Sequence, residues 1–423
     1  MVLSLSSSNV IQYLQDAGLS SLKDGTFVDS ELHLSSKKNF NLLVTLSGNR
    51  KLLVKQERYI ENDGNPQEFF NEWLFHQLLQ RFPVLGNISA IAPLVAHFDE
   101  ENSIIIRNYL TDYVDLANFY QSNLYFKEVY TEGETCSIAI AIGTTLGVLH
   151  RATFNRQEYR NFMATPPQGQ FRYQVYNPAQ GIESIGPEIF GVVPTEALKF
   201  YTLYQCSESL SAAIAELANE WHPCCLTHND LKFNNILVHS KWDQLDNCLV
   251  RLIDWEACAW GDPAFDLGTM VASYLGIWLH SLVVDPTIEL EESLNLAMTP
   301  LEAIQPSMLA LIQAYLNSFP MILESRRDFL MRVIQFAGLT LIHQIQEMIQ
   351  HHKYFNNAAI CKLKVAKNLL TRPQDSVMTV FGIPELEIIK PFAKVANVAN
   401  QPQKERKQSL VRLYYENTRL RGC

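Results

Sequence analysis

The chain has 423 residues, of which 47% are hydrophobic and 18% charged, enough to build two apolar cores and far from the composition of a disordered segment. A formal charge of −10 and a pI near 5.6 argue against nucleic acid or an anionic membrane as partner, and the one basic cluster, Lys404 to Lys407, is short. The start lacks a cationic leader pattern and the apolar runs look too short for a bilayer span, so a cytoplasmic protein is expected.

In chain order, Val10, Ile11 and Leu14 mark a short amphipathic helix over 9–16. Apolar runs broken by polar turns then predict strands over 27–34, 40–46 and 52–55. The first turn carries Ser35, Ser36 and Lys38, whose hydroxyls and amides could hold a phosphate; a plain hairpin turn is the alternative. Lys55 ends an apolar strand, and a helix over 67–79 follows with Glu68 and Glu72 on one face. Strands are expected over 92–98 and 103–109. A long helix over 135–153 follows, with Ile138, Ile142, Leu146 and Leu149 on its apolar stripe.

The stretch 155–194 is rich in Gly, Pro and aromatic residues, including Tyr159, Phe162, Tyr173 and Tyr176. Forty irregular residues inside a compact fold suggest a lid or an acceptor-binding insert, or else a decorative insertion. Helical patterns return at 195–221, 269–282, 301–316, 326–350 and 357–370, while residues after 385 show little pattern. His343, Glu347 and His351 share a helix face, read as solvated or facing an acceptor. The eight cysteines lack paired spacing and read as reduced, and the crowd of His222, Cys224, Cys225 and His228 matches no zinc motif.

The most informative stretch runs from His228 to Gly268. His228-Asn229-Asp230-Leu231-Lys232-Phe233-Asn234-Asn235 leads into an apolar strand, a second strand delivers Asp254-Trp255-Glu256, and Gly261-Asp262-Pro263 precedes Asp266-Leu267-Gly268. Two carboxylates and an amide on a loop and a neighbouring strand end suit phosphoryl transfer: one carboxylate can hold a hydroxyl while the others hold a cation against phosphate charge. These three blocks, in this order, resemble the aminoglycoside phosphotransferase and choline kinase superfamily.

That resemblance implies an α+β, bilobal protein-kinase-like fold, with a small antiparallel-sheet lobe over 9–110, a mainly helical lobe over 111–375 holding the 155–194 insert, and an extension over 376–423. It implies ATP and Mg²⁺ as cofactors and a small-molecule hydroxyl as acceptor. By position, Asp230 would act on the acceptor hydroxyl with His228 holding the loop, Asn235 and Asp254 would ligate the metal, and Asp266 would brace the loop's amides. Glu256 could join the metal or be a solvated carboxylate, and Lys232 could touch the transferring group or be a surface lysine. Lys55 would bind phosphates while paired with Glu72, Ser35 and Ser36 would assist, and the main chain around Ile106 and Asn108 would meet the adenine edge. A Ser/Thr kinase acting on a peptide and a nucleotide-binding pseudokinase are the alternative functions; the oligomeric state is not legible.

Overall fold

The computed structural model describes residues 3–20, 27–29, 39–57, 68–124, 132–164, 177–180, 195–245, 249–283, 287–288, 292–293, 296–352 and 355–396. Its first part is a five-stranded antiparallel sheet in the order β1-β2-β3-β5-β4, with β1 Phe27–Asp29, β2 Asn39–Thr45, β3 Lys51–Glu57, β4 Val95–Asp99 and β5 Ile104–Asn108. Alternation along these strands gives each face its own cover. On one face Leu42, Val44, Leu52, Val54, Ile104 and Ile106 pack with Val10 and Leu14 of helix α1 (Val10–Asp16). On the other, Ile105 and Val95 pack with Phe69 of α2 (Glu68–Arg81). Lys55 lies opposite Ile105, and Arg107 opposite Leu53, so both cations share the α2 face of the sheet.

Residues 109–112 connect β5 to β6 (Tyr113–Asp115), which pairs with β8 (Ile236–His239); β8 in turn pairs with β9 (Val250–Leu252). A second small ladder joins β7 (Cys225–Thr227) to β10 (Ala259–Gly261). Around them lie α3 (Leu116–Leu124), α4 (Glu132–Thr153), α5 (Gln157–Met163), α6 (Thr195–Gln205), α7 (Glu208–Asn219), α8 (Pro263–His280), α9 (Leu301–Ser318), α10 (Phe329–His352), α11 (Asn357–Thr371), α12 (Pro373–Phe381) and α13 (Glu385–Ala396). The fold is therefore α+β, a small antiparallel sheet beside a larger helical part.

The main apolar core runs through the helical part and reaches Val377, Phe381 and Ile388, so the expected boundary at 375/376 falls inside α12, and the sparsely patterned stretch after 385 begins with a helix. Gly268 lets α8 meet α10 closely: a Cβ there would lie 2.6 Å from the Phe336 Cβ and 2.8 Å from the Ala337 amide nitrogen. One 18-residue window, Cys136–Thr153, is apolar enough by composition to span a bilayer, contrary to the expectation of shorter runs, but 67% of it is buried inside the fold, as the central helix of a core must be.

The stretch 155–194 is only partly described. Its first residues form α5, with Tyr159 buried and both Tyr159 and Phe162 packed edge-on against Phe82. Those two rings are thus structural, because the end of α2 needs an apolar neighbour. Tyr173 and Tyr176 lie outside the described residues.

Candidate active site

The loop between β7 and β8 carries Asp230 on a backbone fixed from several sides. Asn229, at φ 64°, takes the left-handed conformation that asparagine tolerates, which turns the chain sharply after His228. Asp266, in the first turn of α8, accepts hydrogen bonds from the backbone N–H of His228 at 2.7 Å and of Asn229 at 2.8 Å, and lies 3.2 Å from His150 Nε2. The His228 ring accepts the Asp230 N–H at Nδ1 (3.3 Å), so its other nitrogen carries the proton and donates to the Ile253 carbonyl at 2.9 Å. This second bond ties the loop to the strand that delivers Asp254.

Asp266→Ala is expected to leave two loop amides without acceptors and to lower the unfolding free energy by about 3–5 kcal/mol. Urea denaturation reads this directly; a loss below about 1 kcal/mol would mean that the brace contributes little.

The Asp230 carboxylate is half exposed and held through one oxygen. Its Oδ2 receives the Asn235 side-chain NH₂ at 2.8 Å and lies 3.0 Å from Lys232 Nζ. The same Asn235 NH₂ also donates to the Asp230 carbonyl at 2.8 Å, which turns the Asn235 amide oxygen away from the loop. The Ile253 N–H donates to the Asn235 carbonyl at 3.0 Å and brings the two strand ends together.

Asp254 follows β9 at φ 61° and ψ 60°, a second non-glycine residue in the left-handed region. Trp255 behind it is fully buried, stacked at 3.8 Å on Phe75 of α2 and 4.4 Å from the His228 ring. This column of three rings fixes α2, the Asp230 loop and the Asp254 turn relative to one another. The left-handed backbone at Asp254 costs on the order of 1–3 kcal/mol, which such packing and the ion pairs below must offset.

Around Asp254 the pairing differs from the sequence expectation. Lys55 Nζ bonds Asp254 Oδ1 at 2.5 Å and lies 3.6 Å from Glu256, whereas Glu72 pairs with Arg107 at 3.1 Å. Arg107 also reaches Asp254 at 2.7 Å, so one guanidinium bridges two carboxylates. The cause is the sheet register, which sets Arg107 on the same face as Lys55 and gives its planar fork both acids.

Burial would push the Asp254 carboxyl up, but the adjacent Lys55 and Arg107 charges outweigh it and hold the group well below the usual carboxylate range. Burial pushes Glu256 up to about 8 against the pull of Lys55, with the Asp254 and Glu72 carboxylates adding to the rise. Oxygens of Glu72, Asp254 and Glu256 lie within 4.8 Å of one another, and Glu72 Oε2 is buried without a hydrogen-bond partner among the described residues. Three hard oxygen donors, one of them unsatisfied, fit a divalent cation such as Mg²⁺.

Arg107→Met is expected to cost about 3–5 kcal/mol of stability by stranding Glu72, and adding Glu72→Gln should recover much of it. A double-mutant cycle by urea denaturation checks this; a coupling near zero would mean that the pair holds nothing together.

The remaining expected residues fall as follows. Ile106 is central in β5, and its side chain is completely buried against α1. Asn108 ends that strand, donating its N–H to the Leu94 carbonyl at 3.1 Å and accepting from Arg50 at 3.2 Å. Strand pairing thus engages both positions, and the connector between the two parts of the fold is 109–112. Ser35 and Ser36 lie outside the described residues. Arg107 is the residue that sequence reasoning missed; the signal was the alternation that puts it in phase with Ile105 and, across the register, with Leu53 and Lys55.

A cavity of about 810 Å³ lies beside the Asp230 loop, with Lys232, Phe233 and Asn234 of the loop forming part of its wall, joined by α3, α8, Ser281, Met298, Thr299 and Gln344 of α10.

Comparison with known proteins gives one family match: residues 43–295 fit the model described as "Phosphotransferase enzyme family". No curated protein matches the chain. Solved structures similar to it include the choline kinase LicA from Streptococcus pneumoniae, at 14% identity and a TM-score of 0.45, covering 86% of this chain and 98% of that one. A choline/ethanolamine kinase family protein from Mesorhizobium loti matches at 13% identity and a TM-score of 0.45, covering 89% of this chain and 100% of that one. The macrolide 2'-phosphotransferase MphH from Brachybacterium faecium matches at 14% identity and 0.43, covering 86% and 99%.

Proposed function

Because the chain belongs to the phosphotransferase enzyme family, we propose that it is a phosphotransferase with an alcohol group as acceptor, transferring the γ-phosphate of ATP, with Mg²⁺, to a hydroxyl of a small molecule. The observation that carries the reading is the meeting of the Asp230 loop with Asp254 and Lys55 in one cluster, tied by the His228 bond to the Ile253 carbonyl.

In this reading Asp230 acts on the acceptor. Its Oδ2 is committed to Asn235 and Lys232, which directs Oδ1 to the hydroxyl, where it orients the nucleophile and takes its proton as the new P–O bond forms. Lys232 stands 3.0 Å from the same carboxylate and places a positive charge where the transferring group passes. The Asn235 amide oxygen, Asp254 and Glu256 would hold the cation, with Glu72 Oε2 as a further oxygen beside them. When bound, Mg²⁺ neutralises phosphate charge. Lys55 adds its ammonium to the phosphates, while Arg107 keeps Glu72 and Asp254 in register. With the Tyr109 N–H bonded to the Lys51 carbonyl at 2.9 Å, the 110–112 stretch offers main chain for a purine edge, in place of Ile106 and Asn108.

The test is ADP release from ATP by the purified protein with Mg²⁺ and with EDTA, with phosphate ester recovered from candidate alcohols. Slow Mg²⁺-dependent release, accelerated by an acceptor, is expected. Release that ignores Mg²⁺, or none with any nucleotide, would remove the proposal.

A further inference from the structure

The cavity beside the Asp230 loop has a chemistry of its own, and we infer that it holds the acceptor as an uncharged, oxygen-bearing alcohol with a sizeable apolar body. This rests on the phosphotransfer reading for the cavity's role as the acceptor site, and it names the class of molecule that enters. Lys232 joins the two, because it lines the cavity and lies 3.0 Å from Asp230 Oδ2. A hydroxyl at the mouth would therefore be within reach of the carboxylate while the rest of the molecule stays behind it.

The size and the wall set the body. About 810 Å³ is in the range of pockets that enclose drug-sized ligands and far exceeds what a small quaternary ammonium alcohol fills. Tyr120 and Phe233 are nearly fully buried and tilted against each other at 5.3 Å, and Tyr120 OH is already hydrogen-bonded to Tyr274 OH at 3.0 Å. They present ring carbon to the cavity, joined by Ile277. Against these rings a polar group would lose water without replacement, while Gln121, Asn234, Thr299 and Gln344 elsewhere in the lining are left to meet the ligand's oxygens.

The charges at the wall are answered by the protein. Lys232 is paired with Asp230, and the exposed Glu347 acts on both Lys232 and Lys362. The His280 Nδ1 donates to the Gly276 carbonyl at 2.6 Å, and desolvation, with Lys362 nearby, lowers its pKa from the ordinary histidine value. Among the described lining residues none is Asp or Glu, and the nearby acids Asp230 and Glu347 already answer Lys232, so a polycation would have to compete with that lysine for them. Gln344 supplies the direction. Its Oε1 accepts from Lys362 Nζ at 3.2 Å, which leaves its NH₂ as a donor, suited to an ether, carbonyl or hydroxyl oxygen of the ligand.

Gly276 gives a test that does not depend on the natural acceptor. Among the described residues a Cβ there meets nothing nearer than the His280 ring at 3.8 Å, so Gly276→Leu extends into the cavity without a backbone clash at its Cβ and raises the helix propensity of α8. The probe is 7-(2-hydroxyethoxy)-4-methylcoumarin, a neutral fluorescent alcohol with a carbonyl, compared with choline and with kanamycin by calorimetry on the full chain. The coumarin is expected to bind the native protein, and Gly276→Leu and Gln344→Leu should each weaken it by at least about tenfold, with unchanged or higher melting temperature for the first. Choline and kanamycin should show no binding that Gly276→Leu alters. Absent coumarin binding, coumarin binding indifferent to Gly276→Leu, or a cation whose binding that substitution abolishes, would overturn the inference. If the coumarin behaves as expected while neither the native protein nor the variants turn over ATP, the assigned ligand class stands and it is the phosphotransfer reading that fails.

Discussion

Replacing Asp254 by alanine is expected to lower Mg²⁺-dependent ATP turnover by about 10³-fold or more while the protein stays folded. Asp254 is the carboxylate on which Lys55 and Arg107 converge, at 2.5 and 2.7 Å, and it belongs to the three-carboxylate group with Glu72 and Glu256. Its loss removes a cation ligand and leaves two buried positive charges with one acid fewer. The column of Phe75, Trp255 and His228 does not depend on that side chain, so circular dichroism and a cooperative melt should persist. Turnover within tenfold of the native protein would take Asp254 out of the cation site.

Asp230→Asn should behave differently. The substitution keeps the shape and one acceptor oxygen, so the bonds that hold Asn235 survive in part, but the side chain no longer takes a proton. The expected result is a kcat lowered by about 10²–10⁴-fold with ATP affinity within a few-fold of native. Calorimetry with a non-hydrolysable ATP analogue separates the two. Lost nucleotide affinity would mean that Asp230 holds the nucleotide and not the acceptor.

Much of this arrangement is legible in the sequence because it is local. His228, Asp230 and Asn235 lie within eight residues of one loop, and Asp254 ends a strand whose apolar run marks it, so spacing alone places them near each other. The helices at 301–318 and 329–352 are equally legible, since their apolar stripes are long and regular.

The partner of Glu72 was not, because it depends on which strands pair. Read linearly, Ile104-Ile105-Ile106-Arg107-Asn108 looks like a strand running into a connector, and only the antiparallel register between β3 and β5 reveals that Arg107 shares a face with Lys55. Ile106 and Asn108 illustrate the same limit: the strand runs to Asn108 within the span expected for it, but both residues are taken up by its pairing, so the connector begins at 109. Beyond 385 the pattern failed for another reason. Helix α13 contains Pro391, which in a sequence reads as the end of a helix, and exposes Leu386 at 75%, although Ile388 is fully buried.

The central claim is that one carboxylate cluster couples a divalent cation to a nucleotide. Titrating a non-hydrolysable ATP analogue into the native protein and into Asp254→Ala, each with Mg²⁺ and with EDTA, tests it most directly. The account predicts analogue binding by the native protein that Mg²⁺ strengthens at least about tenfold, and no strengthening in Asp254→Ala. Equal Mg²⁺ enhancement in both proteins, or native binding indifferent to the cation, would contradict it.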